Sequence, residues 1–232
     1  MRRLLVALLL SGSLQVAAGH PAHAGTPCVV LDPGHGGIDP GAVADDGVYE
    51  KTVNLALARR VRDFLEVADV EVILTREADD YCPRLAERAA LAHNEAADLF
   101  VSLYANSDRH PSCKGIELFY YPGSREGSTI AGAVKRVIDN RSVLAQCRVK
   151  TSCYLVLKKT AMPALLVEAG YLSNAGERSR LLNPAYREEL ARAVAEGIIT
   201  YLAWQHLPVR PRYTTFCRAN TKQRNGRLQK EG

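Results

Sequence analysis

The stretch "DLFVSLYANSD" (residues 98–108) decides how the rest of the chain is read. Leu99, Phe100, Val101 and Leu103 form an apolar run, broken only by Ser102, that ends in Ala105-Asn106-Ser107-Asp108. That pattern predicts a buried strand, 98–104, stopping at a polar turn. A strand buried on both faces belongs to a parallel sheet covered by helices. Tyr104 then stands at the strand end, where α/β folds gather functional groups.

The neighbouring segments follow the same logic. Residues 28–32 (CVVLD) predict a strand, and 33–49, with five glycines and two prolines, a loop. Residues 51–66 place Val53, Leu57, Val61, Phe64 and Leu65 on one helical face. Residues 70–75 predict a second strand. Residues 84–97 predict a helix with Leu85, Ala89 and Ala92 inward and Arg84, Glu87 and Arg88 outward. Strands are expected at 115–121, 153–157 and 163–168, a weaker helix at 128–145 and a closing helix at 184–204. The alternation implies the α/β class: a single domain with a twisted, mostly parallel sheet flanked by helices on both faces.

The ends read differently from the body. Arg2-Arg3, the apolar residues 4–10 and Ala22-His23-Ala24 form an export signal, residues 1–24, whose apolar run is too short to span a bilayer of ~30 Å. A secreted or periplasmic protein with no stable membrane insertion after cleavage is expected. Six cysteines (Cys28, Cys82, Cys113, Cys147, Cys153, Cys217) fit an oxidising compartment, and a local Cys147–Cys153 bridge is one of the pairings they allow. Net charge is +5, but residues 207–232 carry +6 and the body 25–206 carries −3. The basic tail is expected to be disordered or to rest on an anionic envelope surface, and no nucleic-acid partner is expected.

Three strand ends and one helix start deliver polar groups to the same edge. The first strand opens into Asp32-Pro33-Gly34-His35-Gly36-Gly37, the third ends at Tyr104-Ala105-Asn106, the last ends at Glu168, and the long loop delivers Glu50. A catalytic zinc takes about three N or O ligands and keeps one position open. His35 and Glu50 suit that chemistry, and Glu168 suits a general base or acid for hydrolysis of an amide. Each also has a plainer reading: a turn histidine, a helix-dipole glutamate and a strand-end carboxylate. A phosphate-cradling loop at DPGHGG lacks the Lys and Ser/Thr of that motif, and no G-x-S-x-G elbow marks a serine hydrolase.

These residues lie in blocks that resemble a known family. "VVLDPGHGGIDPGAV" (29–43), "YEKTVNLALARRVRDFLE" (49–66), "VILTREADD" (72–80), "RLAERAALAHNEAADLFVSLYAN" (84–106), "GIELFYY" (115–121) and "MPALLVEAGYLSNAGERSRLLNPAYREELARAVAEGI" (162–198) are similar, in order, to the zinc-dependent N-acetylmuramoyl-L-alanine amidases of the amidase 3 type. The resemblance implies a peptidoglycan hydrolase with zinc (Zn2+) held by His35, Glu50 and a histidine at the third strand's end, and Glu168 as the catalytic carboxylate. It implies cleavage of the amide between N-acetylmuramic acid and L-alanine of the stem peptide. The short connection from "FYY" to "YLVL" implies that no extra helix blocks the cleft.

The chain departs from the pattern at one point: Tyr104 stands where the family writes that histidine. Phenol is a poor ligand and phenolate a good one, with an ordinary pKa near ~10. Three outcomes stay open. Tyr104 coordinates as phenolate, or His110 or Asp108 replaces it; or His35 and Glu50 bind metal weakly; or the protein is a peptidoglycan-binding or regulatory relative. His93 and His206 read as helix residues.

Overall fold

The computed structural model describes residues 25–205; the expected signal peptide and basic tail lie outside them. Six strands form one sheet in the order β2-β1-β3-β6-β4-β5. They are β1 (Cys28–Pro33), β2 (Glu71–Leu74), β3 (Leu99–Asn106), β4 (Ile116–Tyr120), β5 (Cys147–Thr151) and β6 (Ala164–Tyr171). The helices are α1 (Glu50–Glu66), α2 (Leu85–Asn94), α3 (Arg125–Asp139), α4 (Leu155–Lys159), α5 (Ala175–Leu182) and α6 (Pro184–Trp204). All pairings are parallel except β4 with β6.

Alternation along the strands sorts two layers. Leu99, Val101, Leu103 and Ala105 of β3 join the large core with Val61 of α1, Val134 of α3 and Ile198 of α6. Val30, Phe100 and Leu166 face the other way, covered by Ala92 of α2 and by Val156 and Leu157 of the one-and-a-half-turn α4. The cover on this second face is short.

The topology fixes where those ends meet. The chain passes from β1 to β2 on one side, then to β3 on the other side of β1. The crevice between the carboxyl ends of β1 and β3 is therefore a switch point, where open α/β sheets bind ligands. Because β4 runs against β6, the beginnings of β4 and β5 lie beside the end of β6, with Glu117 opposite Glu168.

Several expectations change. The apolar residues 153–157 do not form a strand: Val156 and Leu157 are buried from helix α4, and the edge strand is the more polar β5 just before it. A short apolar run fits either state by periodicity, and charges on an edge strand discourage unwanted pairing. The weak helix begins earlier and ends earlier than 128–145, because Ser124 caps it by accepting the Gly127 N–H. Helix α5 was not anticipated. The connection from β4 to β5 holds α3, packed on α6, and no second helix among the described residues. Cys28, Cys82, Cys113, Cys147 and Cys153 are free thiols, so the local Cys147–Cys153 bridge is not formed: Cys147 is buried in the core while Cys153 is exposed.

Candidate active site

The loop after β1 turns sharply. His35 adopts a left-handed backbone (φ 61°), uncommon for a side-chain-bearing residue, and the Gly36–Asp39 bridge closes the turn behind it. His35 Nδ1 meets Asp39 Oδ2 at 2.8 Å, and His35 Nε2 stands 3.2 Å from Glu50 Oε2. Burial lowers the imidazole pKa, but the hydrogen bonds to Glu50 and Asp39 outweigh it and raise it to about 8. In the absence of a cation the ring is thus an imidazolium between two carboxylates.

Glu50 opens α1 and is 5% exposed. Its Oε1 accepts from the Ala105 N–H at the end of β3 and from Asn54 Nδ2, and its Oε2 accepts from the Ala42 N–H. One carboxylate thus ties loop, helix and strand together. Gly41, at φ +65°, permits this approach: a Cβ there would lie 2.6 Å from both Glu50 Oε2 and His35 Cδ2.

Two buried guanidinium groups fix the backbone beneath His35. Arg76 donates to the carbonyls of Pro33, Gly34, Ala78 and Lys51. Arg88 donates to those of Pro83, Pro33 and His35, and pairs with Asp32 Oδ1 at 2.6 Å. The other Asp32 oxygen accepts from Ser102 Oγ, and Thr75 Oγ1 also donates to the carboxylate. Arg88 was expected on the outer face of α2; it is 2% exposed because the partner it needs, Asp32, lies under the loop and not in the helix.

Tyr104 lies against this assembly. Its ring meets His35 edge to face, with centroids 5.2 Å apart at 82°. It also lies on Gly34, where a Cβ would come within 2.3 Å of it. Burial holds the phenol well above its ordinary pKa. The negative charge of Asp32 adds to this against the opposing charge of Arg88, and Glu50 and Glu168 push further in the same direction. The side chain is therefore a neutral phenol beside the His35–Glu50 pair. His110 and Asp108 do not replace it as a third ligand. The Asp108 N–H donates to Ser173 Oγ and its side chain accepts the His110 N–H, which ties that loop to the turn after β6. Among the described residues no group of three or more His, Cys, Asp or Glu side chains is arranged to hold a metal ion.

Glu168 stands beside Tyr104 in the β3–β6 register and opposite Glu117 across β4. Its Oε2 is buried with no hydrogen-bond partner among the described residues. Burial raises its pKa to about 8; Glu50 and Glu117 add to this, and His35 opposes it. A carboxyl poised near neutrality and free to exchange a proton suits acid–base work.

The structure thus brings His35, Glu50, Tyr104 and Glu168 to one patch. Sequence reasoning missed Asp39, Arg76 and Arg88. Asp39 had one signal, an acid in the same turn as His35. Arg88 had another, its spacing of four from the buried Ala92; Leu85, expected inward, is exposed.

The donor set can be tested against zinc. Two ligands of one tetrahedral zinc stand about 3.3 Å apart, close to the 3.2 Å between His35 Nε2 and Glu50 Oε2. Asp39 on Nδ1 is the outer partner that orients a metal-ligating histidine. Two ligands therefore fit; the neutral phenol of Tyr104 supplies no third.

Comparison with known proteins bears on what this patch serves. Residues 29–200 match the sequence profile described as N-acetylmuramoyl-L-alanine amidase. N-acetylmuramoyl-L-alanine amidase AmiA of Escherichia coli is 31% identical over 259 aligned positions, covering 86% of this chain and 89% of AmiA. Among solved structures, amidase AmiC2 of Nostoc punctiforme superposes with a TM-score of 0.73 at 38% identity, covering 77% of this chain and 98% of that one. The catalytic domain of CwlV from Paenibacillus polymyxa gives 0.71 at 34% identity, covering 77% and 99%. With the sheet order, the switch-point crevice and the strand-end carboxyl already described, these matches mean that the chain belongs to the N-acetylmuramoyl-L-alanine amidase family of hydrolytic enzymes.

Proposed function

We propose that this protein cuts the amide between N-acetylmuramic acid and L-alanine, with zinc held by His35 and Glu50, Tyr104 at the third position and Glu168 as the catalytic carboxylate. The observation that carries the reading is the 3.2 Å approach of His35 Nε2 and Glu50 Oε2 on the edge where Glu168 keeps a buried, unpartnered oxygen. Zinc bound there would polarise the amide carbonyl and acidify the attacking water. With a cation held by His35 and Glu50, the ionised forms of Tyr104 and Glu168 would be favoured.

The chain's own residues do the rest. Asp39 holds the His35 ring by Nδ1 and leaves Nε2 turned to the site. Arg76 and Arg88 hold the loop carbonyls, so the ring cannot drift. Glu168 takes the proton of the attacking water as the carbon–oxygen bond forms. It then returns the proton to the leaving nitrogen as the carbon–nitrogen bond breaks, releasing a carboxylic acid and the free amine of L-alanine. Residues 1–24 act as an export signal that delivers the 25–206 domain to the cell wall outside the cytoplasm.

A second reading has its own observation. The neutral Tyr104 leaves two ligands where a catalytic zinc takes about three, which favours a catalytically impaired relative that binds peptidoglycan or regulates its hydrolysis. Zinc content of the purified protein, measured beside Tyr104→His together with release of wall peptides, separates the two. Near-stoichiometric zinc and turnover in the natural protein support the enzyme. Zinc and turnover in the variant alone support the impaired relative.

A further inference from the structure

The sheet continues past Glu168 into a patch that the hydrolytic machinery does not use. Glu117, opposite Glu168, is buried and accepts from two cations of the edge strand: Lys150 Nζ at 2.7 Å and Arg148 Nη2 at 3.1 Å. The Tyr171 hydroxyl bonds to it as well. One carboxylate therefore faces two positive charges. Arg148 is further committed to the Lys114 carbonyl at 2.7 Å. Among the described residues Lys150 has no such second partner: its ammonium has three donors, lies 5.7 Å from the centre of the Phe119 ring, and its side chain is 45% exposed. Phe119 meets the half-exposed ring of Tyr154 edge to face at 5.3 Å, which gives the patch an apolar floor. The patch carries one uncompensated positive charge, on the same sheet face as Glu168.

Orientation follows from the chemistry. His35 and Glu50 lie on the β1–β3 side of Glu168. If Glu168 returns a proton to the leaving nitrogen, the leaving peptide lies on its other side, above β4 and β5. Two extended residues span about 7 Å and one strand spacing is about 4.8 Å. The second residue of the peptide therefore arrives over β4, within reach of the long Lys150 side chain.

From this we infer that Lys150, set over the Phe119 ring and backed by the Arg148–Glu117 pair, is a specificity determinant: it binds the free carboxylate of an acidic residue that follows L-alanine in the leaving peptide. The inference rests on the amidase reading for the identity of that peptide, but it needs no turnover.

The test is therefore one of binding. The purified protein is titrated calorimetrically with a synthetic L-Ala-γ-D-Glu tripeptide carrying a free glutamyl α-carboxylate, and with the same peptide amidated there. The acid binds at least about tenfold more tightly, the size expected for a charged hydrogen bond, and Lys150→Met makes the two peptides equal. No preference for the acid, a preference that survives Lys150→Met, or no binding of the acid at millimolar concentration overturns the inference. Hydrolysis of wall fragments is followed in parallel. Turnover that is indifferent to amidation sinks the role of Lys150 and leaves the amidase standing. Acid-selective binding lost in Lys150→Met, with no turnover, sinks the amidase and leaves the carboxylate site standing.

Discussion

The two halves of the site are held by opposite means. On the β1–β3 side, His35 and Glu50 sit in a mesh: three hydrogen bonds reach Glu50, Asp39 fixes His35, and two arginines hold the backbone below. On the β6 side, Glu168 is held by packing and register, and one of its oxygens has no hydrogen-bond partner among the described residues. The first half has fixed geometry. The second has chemical potential, a carboxyl that holds its proton up to about 8, close to neutrality. Positioning needs satisfied groups, because an unsatisfied one drifts or destabilises. Proton transfer needs an unsatisfied one, because a carboxylate saturated with donors has too low a pKa to act.

Substitutions sharpen or break this contrast. The largest effect belongs to Glu168→Gln, which removes the proton carrier with little change of volume. Turnover of purified cell wall is expected to fall about 10²- to 10⁴-fold, with zinc content unchanged. A loss of zinc in this variant would place Glu168 in the positioning half. Arg88→Met breaks the other half: it strands Asp32 in the core and costs about 3–5 kcal/mol, read as a lower denaturation midpoint at an unchanged denaturant slope. Asp39→Asn leaves the fold but frees the His35 ring, and zinc affinity is expected to weaken about 10- to 100-fold in a competition titration.

The smallest effect is a pH slope in the metal-free protein. Glu168 keeps its proton up to about 8 in the fold, against an ordinary 4.5. Between those values the folded state binds more protons than the unfolded chain, so stability falls as pH rises. His35, raised from 6.5 to about 8, stabilises the fold below 6.5 and loses that contribution as pH climbs towards 8. Both slopes have the same sign, but only Glu168 acts between 4.5 and 6.5. Glu168→Gln should flatten the denaturation midpoint against pH in that window and leave only the His35 share of the slope between 6.5 and 8. A slope unchanged below pH 6.5 would mean that Glu168 is already ionised in the fold.

Much of this was legible in the chain itself. The α/β class, the mostly parallel sheet and the crowding of His35, Glu50, Tyr104 and Glu168 at strand ends follow from local apolar runs. Those runs report burial residue by residue and need no partner to be named. The elements that misled were short. Residues 153–157 pack as well from a helical turn as from a strand, and only the sheet edge left vacant by β4 decides that the more polar residues 147–151 pair there. Arg88 reads as a surface residue until Asp32, 56 positions away in sequence, is brought to 2.6 Å from it.

By itself, then, the sequence determined which apolar runs are buried, which strands end in polar groups, and that a tyrosine stands where the pattern of the family it resembles has a histidine. The tertiary structure decided the rest: that Asp39 orients His35, that Tyr104 stays a neutral phenol over Gly34, and that Lys150 stands on the Glu168 side of the sheet. Periodicity is a property of neighbours along the chain. Charge, desolvation and hydrogen bonding at a site depend on neighbours across the fold, and those exist only once the strands have paired.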